Sequence, residues 1–370
     1  MDLYWACGWC YFKYHHGDGM IGLALEGGGT KGSYQIGAYY AMKDCGIKFD
    51  GFCGTSIGSF NSAMLACGKE EELLEFWQNV NIATVLGFDP NYIKKINKRE
   101  IDLNFFKMSI KGALRMLKNR GVDTAGLEKV LQEHVNESEL RNSQKDYGLC
   151  TVKVNKLKPC YLFKEEMKPG SIHDYILASC FLPLFRMKKT ANNEYYIDGG
   201  FYDNSPVNML IDKGYTKVYV VRVNIGLSIN ITRKLKKDID VTYIKPSRSV
   251  GTILELNDEK VHDNIQMGYY DTLRILRHLD GFVYTFHRKK DWYFDWIIRS
   301  VDERKLRRVK NFFHTKNNKD TIIKALEYIM EKEKIYYYQI YKLPKVLHFV
   351  KKHYKKNHFV YDFIRELRFL

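Results

Sequence analysis

No run of roughly 18 apolar residues occurs anywhere in this chain, which excludes a membrane-spanning helix of ordinary length. The first residues hold no basic segment followed by an apolar one, so no secretory leader is expected. Eight cysteines are scattered through 370 residues, far too thin for a disulfide framework. Reduced thiols in a cytoplasmic protein are the expectation. There is no internal repeat and no low-complexity linker. Acidic residues are short of basic ones, 43 against 59, leaving a formal charge of +16. That excess is uneven: residues 301–370 hold 18 lysines and arginines against 8 acids.

What is present is an alternation of strand-like and helix-like segments. Residues 21–26, 49–54, 149–154, 159–163, 195–198 and 217–223 read as short apolar strands. Helical patterns fill 31–45, 56–67, 70–80, 127–135 and 172–179. This alternation predicts an α/β architecture with a mostly parallel central sheet flanked by helices. The expected division is an N-terminal extension (1–19), a catalytic domain (20–225), a continuation packed on it (226–300) and a basic, mainly helical C-terminal extension (301–370). The extension carries Cys7-x-x-Cys10 and His15-His16. Nothing downstream completes a metal set, and no metal is predicted.

Three motifs carry chemistry. Gly54-Thr55-Ser56-Ile57-Gly58 lies between a strand and a helix, the context of a nucleophile elbow. Gly27-Gly28-Gly29-Thr30-Lys31-Gly32 ends one strand and opens a helix, supplying backbone N–H groups and a partial positive charge. Asp198-Gly199-Gly200 ends a later strand with a carboxylate. A nucleophile, a base and an anion cradle are the parts of an acyl-transfer site.

The glycine run also fits a dinucleotide fingerprint, Gly27-x-Gly29-x-x-Gly32, with Asp50 as the ribose-binding acid. A Rossmann-type oxidoreductase therefore stands as an alternative, although it leaves Ser56 and Asp198 idle. Lys31 follows the wrong glycine for a Walker A loop, and its expected role is to order the loop locally. His262, His278 and His287 follow Asp198 in the order of a Ser–Asp–His triad, but none has distinguishing context. Asp203 and Asn204 are read as shaping the turn before Pro206.

Together the three motifs resemble those of the patatin-like phospholipase family. Ala178-Ser179-Cys180-x-x-Pro183 and Asp203-Asn204-Ser205-Pro206-Val207 extend the likeness, which covers roughly residues 21–225. Gly268-Tyr269-Tyr270-Asp271 adds a weaker match, and lysine at 31 departs mildly from the usual arginine. The resemblance implies a modified α/β-hydrolase fold. It implies a Ser56–Asp198 dyad without histidine and an oxyanion loop drawn from Gly27, Gly28, Gly29, Lys31 and Gly32. Gly54 and Gly58 flank the elbow; Gly199 and Gly200 form the turn after the base. The implied reaction is hydrolysis of phospholipid or another lipid ester, of phospholipase A or lysophospholipase type, with no cofactor. A membrane-recruited binding protein with a vestigial site is the non-enzymatic alternative.

Two segments remain. Residues 81–120 mix apolar and basic side chains, as either a lipid-facing lid or a helical insertion would. In the tail, Val346, Leu347, Phe349, Val350 and Tyr354 recur at helical spacing among lysines. That pattern suits a docked helix pair or peripheral contact with an anionic membrane. No nucleic-acid signature accompanies it, and no nucleic-acid partner is expected.

Overall fold

The computed structural model describes residues 19–80, 85, 124–155, 158–180, 189–190, 193–224, 239–253 and 257–368. The Cys7/Cys10 and His15/His16 cluster, Pro183 and almost all of the 81–120 segment lie outside the described residues. The chain forms two compact units. The first runs to Pro246 and takes in Val250–Gly268; the second comprises Ser247–Ser249 and Tyr269–Leu370. The division falls inside the segment read from sequence as a continuation of the catalytic domain.

The first unit is built on a seven-stranded sheet. It begins with β1 (Ile21–Leu25), α1 (Ser33–Asp44), β2 (Gly51–Thr55), α2 (Ile57–Ala66) and α3 (Glu70–Asn79). Beyond residue 123 follow α4 (Ala125–His134), α5 (Glu137–Asn142), β3 (Asp146–Lys153), β4 (Lys158–Phe163) and α6 (Ile172–Ser179). The unit continues with β5 (Tyr196–Asp198), α7 (Val207–Asp212), β6 (Lys217–Val221) and β7 (Asp240–Ile244). The strand order is β4-β3-β2-β1-β6-β7, with β5 also paired to β3. β3, β2, β1, β6 and β7 are parallel; β4 and β5 run antiparallel to β3. β1 and β2 are buried on both faces, as the centre of a parallel sheet requires. Ala24 and Cys53 pack on α7 through Val207, Met209 and Leu210. On β2, Phe52 points to the opposite face from Cys53 and meets the Tyr39 ring of α1. β7 lies in a stretch that sequence periodicity left unassigned.

Helix α8 (Asp258–Leu276) ends in the second unit, which continues with β8 (Thr285–Phe286), α9 (Asp291–Ile297), α10 (Glu303–Phe313) and α11 (Asn318–Lys332). It closes with β9 (Ile340–Tyr341), α12 (Leu343–His353) and α13 (Phe359–Glu366). This unit owns a hydrophobic core. Phe294, Ile297, Ile322, Leu326, Leu343, Leu347, Val350, Phe363 and Ile364 are buried together. The apolar face of the tail is thus occupied by protein, which favours the docked helix pair over a tail that lays that face on lipid. No helix among the described residues is long and apolar enough to cross a membrane.

Packing of this kind sets a clear expectation. Phe363 is fully buried, so Phe363→Ala removes a large side chain and leaves a cavity, costing about 3–5 kcal/mol. Urea unfolding followed by the near-ultraviolet signal of the tryptophans measures the loss. A change below about 1 kcal/mol means that α13 is not part of the core.

Candidate active site

The ladder of β3 brings two distant segments together. β4 pairs along one edge of β3 from Gly148 to Lys153. β2 and β5 share the other edge, and they meet head-on. Thr55, the last residue of β2, faces Cys150; Asp198, the last residue of β5, faces Thr151, the next position along. Both chains must leave the lane at this meeting point. β2 turns out through Ser56 into α2, and β5 turns out through a short 3-10 turn, Gly199–Phe201.

Ser56 holds φ 54° and ψ −129°, a strained conformation for a residue with a side chain. The surroundings hold it there. Its N–H donates to Ser179 Oγ at 2.8 Å, and that hydroxyl donates to the Cys150 carbonyl at 2.7 Å. Its carbonyl accepts from the Ser59 N–H at 2.8 Å and the Ser59 hydroxyl at 2.6 Å. The turn is so tight that a Cβ on Gly54 would lie 2.2 Å from the Gly58 carbonyl carbon. Only glycine fits at 54, because neither colliding atom belongs to a side chain that can move away.

The Ser56 hydroxyl lies in hydrogen-bonding reach of the Asp198 carboxylate. Asp198 is buried, and its Oδ1 accepts the Gly200 N–H at 2.7 Å. Burial pushes its carboxyl up to about 6, against the opposing pull of the Gly200 N–H and the Ser56 hydroxyl. A carboxylate of ordinary affinity would bind a proton too weakly to take one from serine near neutrality. The burial of this one narrows that gap. The Cys180 thiol, kept neutral by burial, also lies in reach of Ser56 and Ser59.

The glycine loop lies directly against Ser56: a Cβ on Gly27 would be 3.1 Å from the serine's own. Asn204 clasps Gly27 twice, accepting its N–H at the Asn204 carbonyl (3.1 Å) and donating Nδ2 to its carbonyl (2.9 Å). Asn224 Nδ2 donates to the same carbonyl at 2.9 Å, and Lys31 Nζ donates to Asn224 Oδ1 at 2.9 Å. The next turn is pinned by Thr30, whose N–H donates to the Ile253 carbonyl at 3.0 Å. Gly29 has φ +59°, and a Cβ there would lie 2.2 Å from that carbonyl oxygen. Among the described residues, the N–H groups of Gly28 and Gly29 have no acceptor. Behind the loop, Asn61 joins the Gly32 carbonyl, Gln35 and the Trp77 indole in a buried network.

The structure therefore gathers Ser56, Asp198, Gly27, Gly28 and Gly29 at one place. Gly54, Gly58, Gly199 and Gly200 form the two turns that aim them. Lys31 meets the loop through Asn224, which also holds the Gly27 carbonyl. Gly32 caps the start of α1 and lies against Ile57, Asn61 and Trp77. Asn204 does more than shape a turn, since it ties the Asp198 segment to the loop. Asn224 and its contacts were invisible in sequence, because neither spacing nor residue type marks them. His262, His278 and His287 are all exposed. The dinucleotide reading fails on geometry. It needs an acid at the carboxyl end of the second strand, whereas Asp50 precedes β2 and accepts the Ile21 N–H at 2.8 Å.

The lysophospholipase NTE1 of Yarrowia lipolytica is 28% identical over 203 residues, covering 55% of this chain and 12% of that protein. NTE1 of Meyerozyma guilliermondii is 25% identical over 214 residues, covering 56% of this chain and again 12% of the relative. The chain thus matches only a small part of the length of these curated relatives. Among solved structures, VipD from Legionella pneumophila superposes with a TM-score of 0.47 at 14% identity, covering 91% of this chain and 80% of that one. The type III effector ExoU gives 0.36 at 12% identity, covering 94% and 74%. The model of the family described as patatin-like phospholipase matches residues 23–211, half of the chain, and the chain belongs to that family.

Proposed function

We propose that this protein is a serine-dependent lipid acyl hydrolase of the phospholipase A or lysophospholipase type. The observation that carries the reading is the contact between the strained Ser56 hydroxyl and the buried Asp198, with the glycine loop against both. Ser56 Oγ attacks the ester carbonyl carbon while Asp198 accepts its proton. The carbonyl oxygen becomes negative and turns toward the N–H groups of Gly28 and Gly29. One such donor is typically worth 10²–10³ in rate. Collapse of the intermediate expels the alcohol, which leaves with the proton from Asp198, and an acyl-serine remains. Water then attacks the acyl carbon as Asp198 takes its proton; the bond from that carbon to Ser56 Oγ breaks, Asp198 returns the proton to Oγ, and the fatty acid departs. The names of the NTE1 relatives support a monoacyl phospholipid as substrate. The excess of basic residues in 301–370 supports peripheral association with an anionic membrane, where such lipids lie.

Ser56→Ala abolishes ester hydrolysis in a folded protein on this reading. Incubation with a panel of lysophospholipids, phospholipids, triglycerides and acyl-CoA, followed by product analysis, tests it. Retention of more than a few per cent of turnover identifies a different nucleophile.

Asp198 gives the reaction a pH signature. A base with its carboxyl raised to about 6 is ionised above that pH and protonated below it. kcat/KM should fall about tenfold per unit below pH 6 and level off above it. Asp198→Asn should remove that limb and cost on the order of 10²–10⁴ in rate. Single substitutions of His262, His278 and His287 should leave the profile in place. Loss of the limb in a histidine variant rather than in Asp198→Asn assigns the base to that histidine.

A further inference from the structure

Residues 334–361 contain seven lysines and neither aspartate nor glutamate. Helix α12 runs through the middle of that stretch. Its inward side, Leu343, Val346, Leu347 and Val350, is buried in the core of the second unit. Its outward side carries Lys345, Phe349 and Lys352, spaced i, i+4, i+7 and all exposed. Lys342 lies just before the helix and Lys355 just after it, both exposed. Other lysines of the stretch have protein partners: Lys356 pairs with Glu333 at 2.7 Å, and Lys351 donates to the Leu367 carbonyl. Lys342, Lys345, Lys352 and Lys355 form no ion pair among the described residues. Phe349 stands among them 45% exposed, its ring 4.5 Å from that of His353.

Lys345 and Lys352 share the outward side of α12 with Phe349, and Lys342 and Lys355 flank the helix, all four without an ion-pair partner among the described residues; the surface makes two chemical demands. The ammonium groups call for fixed anions, and the ring calls for an apolar layer at about the depth of one side chain. A bilayer rich in anionic phospholipid meets both, because phosphates and acyl chains lie in adjacent strata. A duplex nucleic acid, with its bases stacked away, meets the first alone, and this face offers no arginine fork for phosphate or base edges. We propose that the outward face of α12, from Lys342 to Lys355 with Phe349 at its centre, docks the protein on an anionic phospholipid bilayer. The choice of lipid as partner deepens the hydrolase reading and rests on it, since that substrate lies in such a surface.

Co-sedimentation of the full chain with vesicles tests the proposal. Phosphatidylcholine alone is compared with vesicles holding roughly 30% phosphatidylserine, at low and high salt. The Ser56→Ala background keeps the vesicles intact, and binding is then read without reference to hydrolysis. Each lysine near an anionic surface contributes roughly fivefold in partitioning. The triple variant Lys345→Gln, Lys352→Gln, Lys355→Gln should therefore bind the anionic vesicles about a hundredfold more weakly. Binding of the parent should collapse at high salt, because the attraction is screened within a Debye length. Phe349→Ser should weaken binding to the anionic vesicles at low salt with every lysine intact. Lys129→Gln, at an exposed lysine of the first unit, should change nothing. Thermal melts check that the variants fold; where the triple variant melts early, the single lysine variants serve, each expected to lose about fivefold. Equal binding to both vesicle types, or unchanged binding of the lysine variants, overturns the proposal. So does a triple variant that loses affinity for a single-stranded RNA oligomer while keeping its affinity for vesicles. Failure of the hydrolase reading would appear in product analysis and leave these binding curves where they are.

Discussion

Everything at the candidate site depends on one edge of β3. Two strands cannot occupy the same lane of a sheet, so β2 and β5 stop where they meet, opposite Cys150 and Thr151. Hydrogen-bond register, rather than any direct attraction between Ser56 and Asp198, sets the separation of the two side chains. Each strand ends in a forced exit, and the two exits bring Ser56 and Asp198 to the same meeting point. Register is strongly specified here, because a slip by one residue would exchange the side chains packed against the two covered faces of β2 and β3. The core that holds the sheet therefore also holds Ser56 and Asp198 in place, although most core residues are far from them in sequence.

In the proposed reaction, the same meeting point lets a carboxylate act where a histidine is more usual. Asp198 ends its strand inside the protein, and among the described residues its neighbours supply one backbone N–H and one hydroxyl rather than a cation. Asp203 shows the contrast within a few residues. It is also buried and raised, yet it is occupied by the Tyr161 hydroxyl at 3.0 Å and the Ser205 N–H at 3.1 Å. Asp203 is committed to holding its turn, whereas Asp198 keeps the Ser56 hydroxyl as a partner. Desolvation raises the affinity of Asp198 for a proton and strengthens every dipole aimed at the same space.

Much of this was legible in the sequence because the motifs need particular residue types. The elbow needs glycine at 54, the loop needs glycine at 29, and both sit in strand–turn–helix contexts that periodicity reveals. The central strands β1, β2 and β6 read as apolar runs because both faces are covered. β7 escaped because its residues are only half-buried and its pattern is correspondingly weak. Asp50 misled by one strand position, since an acid that begins a strand and one that ends it look alike without the register. Asn224 and the Asn204 clasp could not be read at all. Such contacts join residues nearly 200 positions apart, and no local pattern encodes them.

The tail shows a different limit. A helix with apolar residues at i, i+3, i+4 and i+7 and lysines elsewhere satisfies two solvents equally well, a protein core or the boundary of a bilayer. Periodicity reports the existence of the face and is silent on what covers it. The answer comes from supply. Phe294, Ile322, Leu326 and Phe363 provide enough apolar surface to cover the inward face of α12, and that face is closed. What remains outside is a helix stripped of its apolar side and left with its charge, in a stretch without a single acid to neutralise it. Phe349 is the exception that this accounting does not absorb. It follows Leu347 by two positions, which is about half a turn, so helical geometry alone puts it on the lysine side. The residue that the core could not reach is the one that gives the basic face an apolar point.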